Sequence, residues 1–260
     1  MIITGSTFPG EVPPHPPGTV LLASLDVEWS KNYRIRNGSK PFCFSVTWLA
    51  LAAARETVMT EATCFWHVSA YIEQEEERGE LVAAANAALA AAIDQADLAA
   101  GHQLCSDLAV LAASAEEPLP AIAAATTAWR RRREPADGTP AFLDTRYDAG
   151  HLLAGPSRRL VDVCTELQLD VTQPELRGTS MTALHRRWLD RGVTEAREKI
   201  TVLNLRHSLS TALVAARAAG LARWKPVLNV NRLLAAGLGS ELGYTAAPAF
   251  TALLGEPGAA

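Results

Sequence analysis

The sequence predicts an α/β fold, and three observations predict it. Three strand-like apolar segments follow one another near the N-terminus, at 20–28, 41–49 and 57–68, separated by short polar stretches. Two further strand-like runs, ending at Gln103 and Thr145, are each followed by helical spacing of apolar residues. Beyond residue 157 helical patterns dominate. Periodicity by itself therefore specifies mixed α and β layers around an apolar core.

Each element has a local reason. Residues 5–18 are rich in Gly and Pro, including Pro13, Pro14, Pro16 and Pro17, and predict an extended leader over 1–18. The loop after the first strand carries Lys31, Arg34, Arg36 and Lys40 and an Asn37-Gly38 turn signal, which makes the first three strands an antiparallel meander. A helix is expected over 71–94, with a charged, solvated start and an Ala-rich second half that must pack closely. Leu104, Leu108 and Leu111 fall on one face of the next helix. Another helix is expected through Trp129 and Arg130–Arg133, broken by Pro135-Ala136-Asp137-Gly138 before the strand that carries Asp144. Helices are then expected at 157–168, 181–190, 194–199, 207–219 and around 231–237. This divides the chain into a leader, a main domain over 19–220 and a helical C-terminal extension over 221–260.

Composition narrows the function classes. The chain has 260 residues, 48% of them apolar and 20% charged, as in a water-soluble globular domain. A net charge of −4 argues against a broadly basic nucleic-acid binder, although a local basic patch can still hold phosphates. The four cysteines (Cys43, Cys64, Cys105 and Cys164) show no Cys-x-x-Cys pairing; three of them lie in apolar, element-like segments and are expected to be buried free thiols in a reducing compartment. The N-terminus lacks the pattern of a signal peptide, and no apolar stretch is long enough to span a bilayer. A cytoplasmic protein with no membrane partner is the expectation.

The chemistry is concentrated in acids at strand ends. Leu25-Asp26-Val27-Glu28 closes the first strand, and alternation puts both carboxylates on one face. Two such groups on a rigid apolar strand repel, and either a divalent cation or a proton relieves them. Gly101-His102 ends the next buried strand, with Asp107 five residues after His102, near a helix start. Asp144-Thr145 ends another. His102 is expected to make a buried hydrogen bond, and Asp144 either anchors the following helix or faces the acids.

In this order the motifs resemble the DEDD 3′–5′ exonuclease superfamily over roughly Thr19 to Gly220. The resemblance implies a ribonuclease H-like fold, with three antiparallel and two parallel strands and helices on both faces. It also implies hydrolysis of single-stranded DNA or short RNA from the 3′ end, using two Mg²⁺ or Mn²⁺ ions. Carried over, Asp26 would touch both ions, Glu28 the water-activating ion and Asp107 the other, with His207 as general base. The family's third motif, His-x-Ala-x-x-Asp-Ala, is degenerate here, because Ala212 stands five residues after His207. A second register, His185 and Asp190, keeps the His-to-Asp spacing, but Arg187 and Arg191 replace small residues. Loss of the last Asp implies weakened catalysis. The alternative is a catalytically silent pseudo-nuclease that binds nucleic acid or a protein. Trp29 is expected either to stack on a terminal base or to pack in the core; Arg34 and Arg36 are expected to contact phosphates, and Arg131 either to do so or to belong to a solvated helix face.

Overall fold

The computed structural model of the chain describes residues 1–30, 38–134 and 141–255. The strands of its N-terminal part are β1 (Ile2–Gly5), β2 (Thr19–Ser30), β3 (Lys40–Ala52), the two-residue β4 (Thr57–Val58), β5 (Trp66–Tyr71), β6 (Leu98–Gly101) and β7 (Ala141–Asp144). All but β4 form one mixed sheet in the order β1-β5-β3-β2-β6-β7. The pairs β1–β5, β5–β3 and β3–β2 are antiparallel, whereas β2–β6 and β6–β7 are parallel. The central strand β2 is thus hydrogen-bonded on both sides, and its Asp26 lies opposite Ser45 of β3. A register shift between Glu28 and Trp29 re-aims the end of β2, a device common beside functional sites.

Two differences from the sequence-based expectation concern the sheet. The leader is not merely extended, because Ile2–Gly5 adds an antiparallel edge strand to β5. The expected strand over 57–68 is divided, so that β5 begins only at Trp66 and β4 pairs instead with a distant segment, β9. That interruption falls at Thr60–Cys64, where a Thr60–Thr63 turn takes the chain out of the sheet.

Side-chain alternation along β2 builds two cores. Leu21, Ala23, Leu25 and Val27 face the first, which is closed by α1 (Arg78–Gln95), α2 (Leu104–Ser114) and α3 (Pro120–Arg131). Leu22 faces the second. Further along come α4 (Thr145–Asp148), α5 (Leu160–Glu166), β8 (Leu169–Asp170), α6 (Met181–Arg191), α7 (Thr194–Ala218), β9 (Ala222–Arg223), β10 (Leu228–Asn229) and α8 (Val230–Leu238). Residues 221–255 build into the second core through Ala222, Trp224, Leu228, Leu234 and Phe250. Among the described residues no helix is long and apolar enough to cross a membrane. Cys43 and Cys164 are buried, as expected of structural thiols, but Cys64 is exposed and Cys105 half-buried.

The long helix α7 corrects the sequence reading most. Helices were expected over 194–199 and 207–219 with a break between them, but the stretch Ile200–Arg206 contains neither Gly nor Pro and continues the helix. Its β-branched residues lower intrinsic propensity, and burial on nearly all sides overrides them. His207 therefore sits inside a helix rather than opening one.

Asp144 explains how β6 and β7 hand over to their helices. Its carboxylate accepts hydrogen bonds from the backbone N–H of Gln103, Leu104 and Arg146 at 2.8, 2.9 and 3.1 Å, and from Trp129 Nε1 at 2.8 Å. One buried acid thus caps the starts of α2 and α4. Gly101 sits at the first of these turns, where any Cβ would come within 2.7 Å of Leu104 Cβ. Replacing Asp144 with Ala leaves buried N–H donors without acceptors and should destabilise the protein by about 3 kcal/mol. Urea unfolding of Asp144→Ala checks this, and an unchanged midpoint would show that the shared cap contributes nothing.

Candidate functional site

The site forms where the end of β2 meets the middle of α7. Strand alternation turns Asp26 and Glu28 toward α7, and α7 presents Asn204 and His207, three residues apart and so neighbours on one helix face. His207 Nδ1 lies 3.1 Å from Glu28 Oε1 and 3.7 Å from Asp26 Oδ2. One ligand atom from each of Asp26, Glu28 and His207 lies within 4.8 Å of the other two, a spacing that can hold a metal ion. The second nitrogen, His207 Nε2, is 3.1 Å from the Gln173 amide.

These three residues line a cleft of about 290 Å³ together with Val27, Trp29, His102, Gln103, Ser106 and Asp107. Asp107, in the first turn of α2, is only 3% exposed, and its Oδ2 has no hydrogen-bond partner among the described residues. Burial raises its pKa well above the usual carboxylate range, and the charges of Asp26 and Glu28 push in the same direction. Asp107 thus enters the cleft as the sequence suggested, although it lies outside the tight three-residue group. Gln103 at the cleft wall has a left-handed backbone, with φ 60°, a conformation that non-glycine residues adopt at an energetic cost.

The remaining expected residues separate clearly. His102 Nδ1 is 2.9 Å from Thr145 Oγ1, and burial pushes its pKa down to about 4, so it is a neutral cleft wall. Asp144 is saturated by its four donors and does not serve as a fourth acid in the cleft. His185 is buried elsewhere, stacked on Phe42 with ring centroids 4.1 Å apart and 2.9 Å from the Tyr71 hydroxyl, while Asp190 is exposed. The alternative register of the third motif is therefore not at the site. Ala212 is fully buried in the second core. On a continuous helix, five residues advance by about 140° beyond a full turn, so position 212 cannot share the face of His207.

Trp29 is half-buried, packing against the first core while it lines the cleft. Arg131 is exposed, whereas Arg132 stacks over Trp129 at 4.4 Å and pairs with Asp148 at 2.6 Å. The run Arg130–Arg133 is thus not one phosphate-binding face. Arg34 and Arg36, with Lys31, lie outside the described residues.

Asn204 and Gln173 are the site residues that the sequence reading missed. Asn204 could have been found by the three-residue helical spacing to His207, had α7 been read as one helix. Gln173 comes from a loop and carries no such signal. No family model matches the chain, and no curated protein matches it.

The two carboxylates set the charge state of His207. Burial alone would lower the pKa of His207, but hydrogen bonds to Asp26 and Glu28, together with their charges, outweigh it and raise the value to about 10. The imidazolium ties the two carboxylates together through Nδ1, and its Nε2–H is met at Gln173 only with the amide turned so that its oxygen faces the ring. Because the folded pKa lies above the unfolded value of about 6.5, the stabilisation is complete below that pH and fades as pH rises toward 10. In EDTA, the stability difference between wild type and His207→Gln should shrink between pH 6.5 and 10. A difference that stays constant over that window, followed by urea unfolding at each pH, would rule out the ion pair.

Proposed function

We propose that this chain is a divalent-cation-dependent 3′–5′ exonuclease with a ribonuclease H-like sheet, acting on single-stranded DNA or short RNA. The observation that carries the reading is the convergence of Asp26, Glu28 and His207 on one point, with buried Asp107, whose Oδ2 has no partner among the described residues, in the same cleft. The sheet supports it: an antiparallel trio, β5-β3-β2, continues into the parallel strands β6 and β7, with helices on both faces.

The donor set fits a hard cation. Three carboxylates suit Mg²⁺ or Mn²⁺, and the imidazole tips the preference toward Mn²⁺. Bound there, such ions supply Lewis-acid stabilisation of charge on a phosphodiester and a more acidic attacking water. Asp26, Glu28 and His207 would hold one ion, and Asp107 would offer its carboxylate from the first turn of α2. His207 is better suited to bind or lock the carboxylates than to act as a free general base, since its Nδ1 is engaged by Glu28. The cleft is at the lower end of small-ligand pocket sizes, which favours a chain end over the middle of a duplex. Trp29 offers an aromatic surface at its rim on which a terminal base can stack.

With end-labelled oligonucleotides, turnover should be slow and faster with Mn²⁺ than with Mg²⁺, whose demand for regular octahedral geometry is stricter. Asp26→Ala should abolish it, and His207→Ala, which removes a ligand and the clamp on the carboxylates, should slow it by at least about 10–100-fold. Mn²⁺ should also raise Tm in wild type but not in Asp26→Ala. A Mn²⁺-induced Tm rise without turnover on any DNA or RNA would favour the silent binding module. No Tm response at all would remove the cation site itself.

A further inference from the structure

Helix α7 sends two side chains into the acid cluster, and only one of them is a ligand type. Asn204 is fully buried. Its Nδ2 donates to Asp26 Oδ2 at 2.6 Å and lies 3.2 Å from the Asp26 carbonyl oxygen. The Cys43 thiol donates to Asn204 Oδ1 at 3.5 Å. The two partners agree on the amide's orientation, because a flipped amide would set its oxygen against the carboxylate and its N–H₂ against the thiol hydrogen. The thiol is itself held in its neutral form, since burial raises its pKa well above the ordinary value.

We propose that Asn204 is the positioning residue of the cation site: its amide fixes the carboxylate of Asp26 for metal binding and, being neutral, limits the site's negative charge and so its affinity. This rests on the cation-binding reading given above. A hydrogen bond to a ligating carboxylate fixes its rotamer, and removing such partners typically weakens metal binding by about 10–100-fold. An acid in the same place acts in the opposite direction. Asp at position 204 would put a second carboxylate against Asp26, a pair that repels in the absence of a cation and is relieved by one.

The test is Mn²⁺ titration of the full-length chain by calorimetry, with thermal unfolding in EDTA and in Mn²⁺, for wild type, Asp26→Ala, Asn204→Ala and Asn204→Asp. Asn204→Ala should bind Mn²⁺ at least about 10-fold more weakly than wild type. Asn204→Asp should have a lower Tm than wild type in EDTA, a larger Mn²⁺-induced rise, and about 10-fold tighter binding. Tightening is the informative result, because damage to the fold alone cannot produce it. Should Asn204→Asp fail to fold, Asn204→Ala decides. Wild-type affinity in Asn204→Ala, or no tightening in a folded Asn204→Asp, overturns the positioning role while leaving the cation site standing. Absence of any Mn²⁺ uptake in wild type that Asp26→Ala removes overturns both.

Discussion

The docking of α7 onto the sheet is the constraint on which the site depends. It is made through a polar seam rather than by apolar packing alone. Ser45 Oγ lies 3.1 Å from the carbonyl oxygen of Asn204 and 3.0 Å from Ser208 Oγ, and Thr47 Oγ1 lies 2.7 Å from Ser208 Oγ. All these groups are buried. An apolar helix can rotate by a fraction of a turn at modest cost, but a buried polar seam cannot, because each lost partner leaves an unsatisfied group in a low-dielectric interior. The seam therefore fixes the rotation of α7, and with it the direction in which Asn204 and His207 point.

The other side of α7 is held as firmly. Arg206, next to His207 in sequence, is fully buried and forms a bidentate pair with Glu175 at 2.7 and 2.9 Å, while its Nε donates to Asn231 Oδ1 at 2.7 Å. A buried charge pair of this kind adds little net stability against an apolar replacement, yet removing one partner is costly. Its structural effect is specific. It ties the loop containing Glu175, and hence Gln173, to α7 and to the start of α8. Gln173 then lies against His207 Nε2 from outside the cleft, while the carboxylates engage Nδ1. The histidine is thus approached from two separate parts of the chain, the end of β2 and the loop containing Gln173.

The sheet was largely legible in the sequence, because β2, β3, β6 and β7 each carry their own apolar run and end at recognisable residues. The edge strand β1 was not, since four residues before a Pro-rich stretch have no periodicity of their own and form a strand only because β5 offers an open edge. Asp26 and Glu28 were legible from strand alternation, and Asp107 from its place at a helix start. The third element of the site was legible in identity but not in geometry. His207 was found, yet searching for an acid five residues onward presumed that the histidine precedes its helix. With His207 inside α7, the residue that shares its face lies three positions earlier, and it is Asn204. Long-range contacts such as Gln173 to His207 leave no local signal in the chain.

Anomalous diffraction from a crystal grown with Mn²⁺ tests whether Asp26, Glu28 and His207 form a cation site. A cation site there gives a manganese peak at coordination distance from the carboxylates of Asp26 and Glu28 and from His207 Nδ1, with the Asn204 amide still on Asp26. A well-ordered cleft in saturating Mn²⁺ with no peak there, and His207 still bridging the two acids, would contradict it.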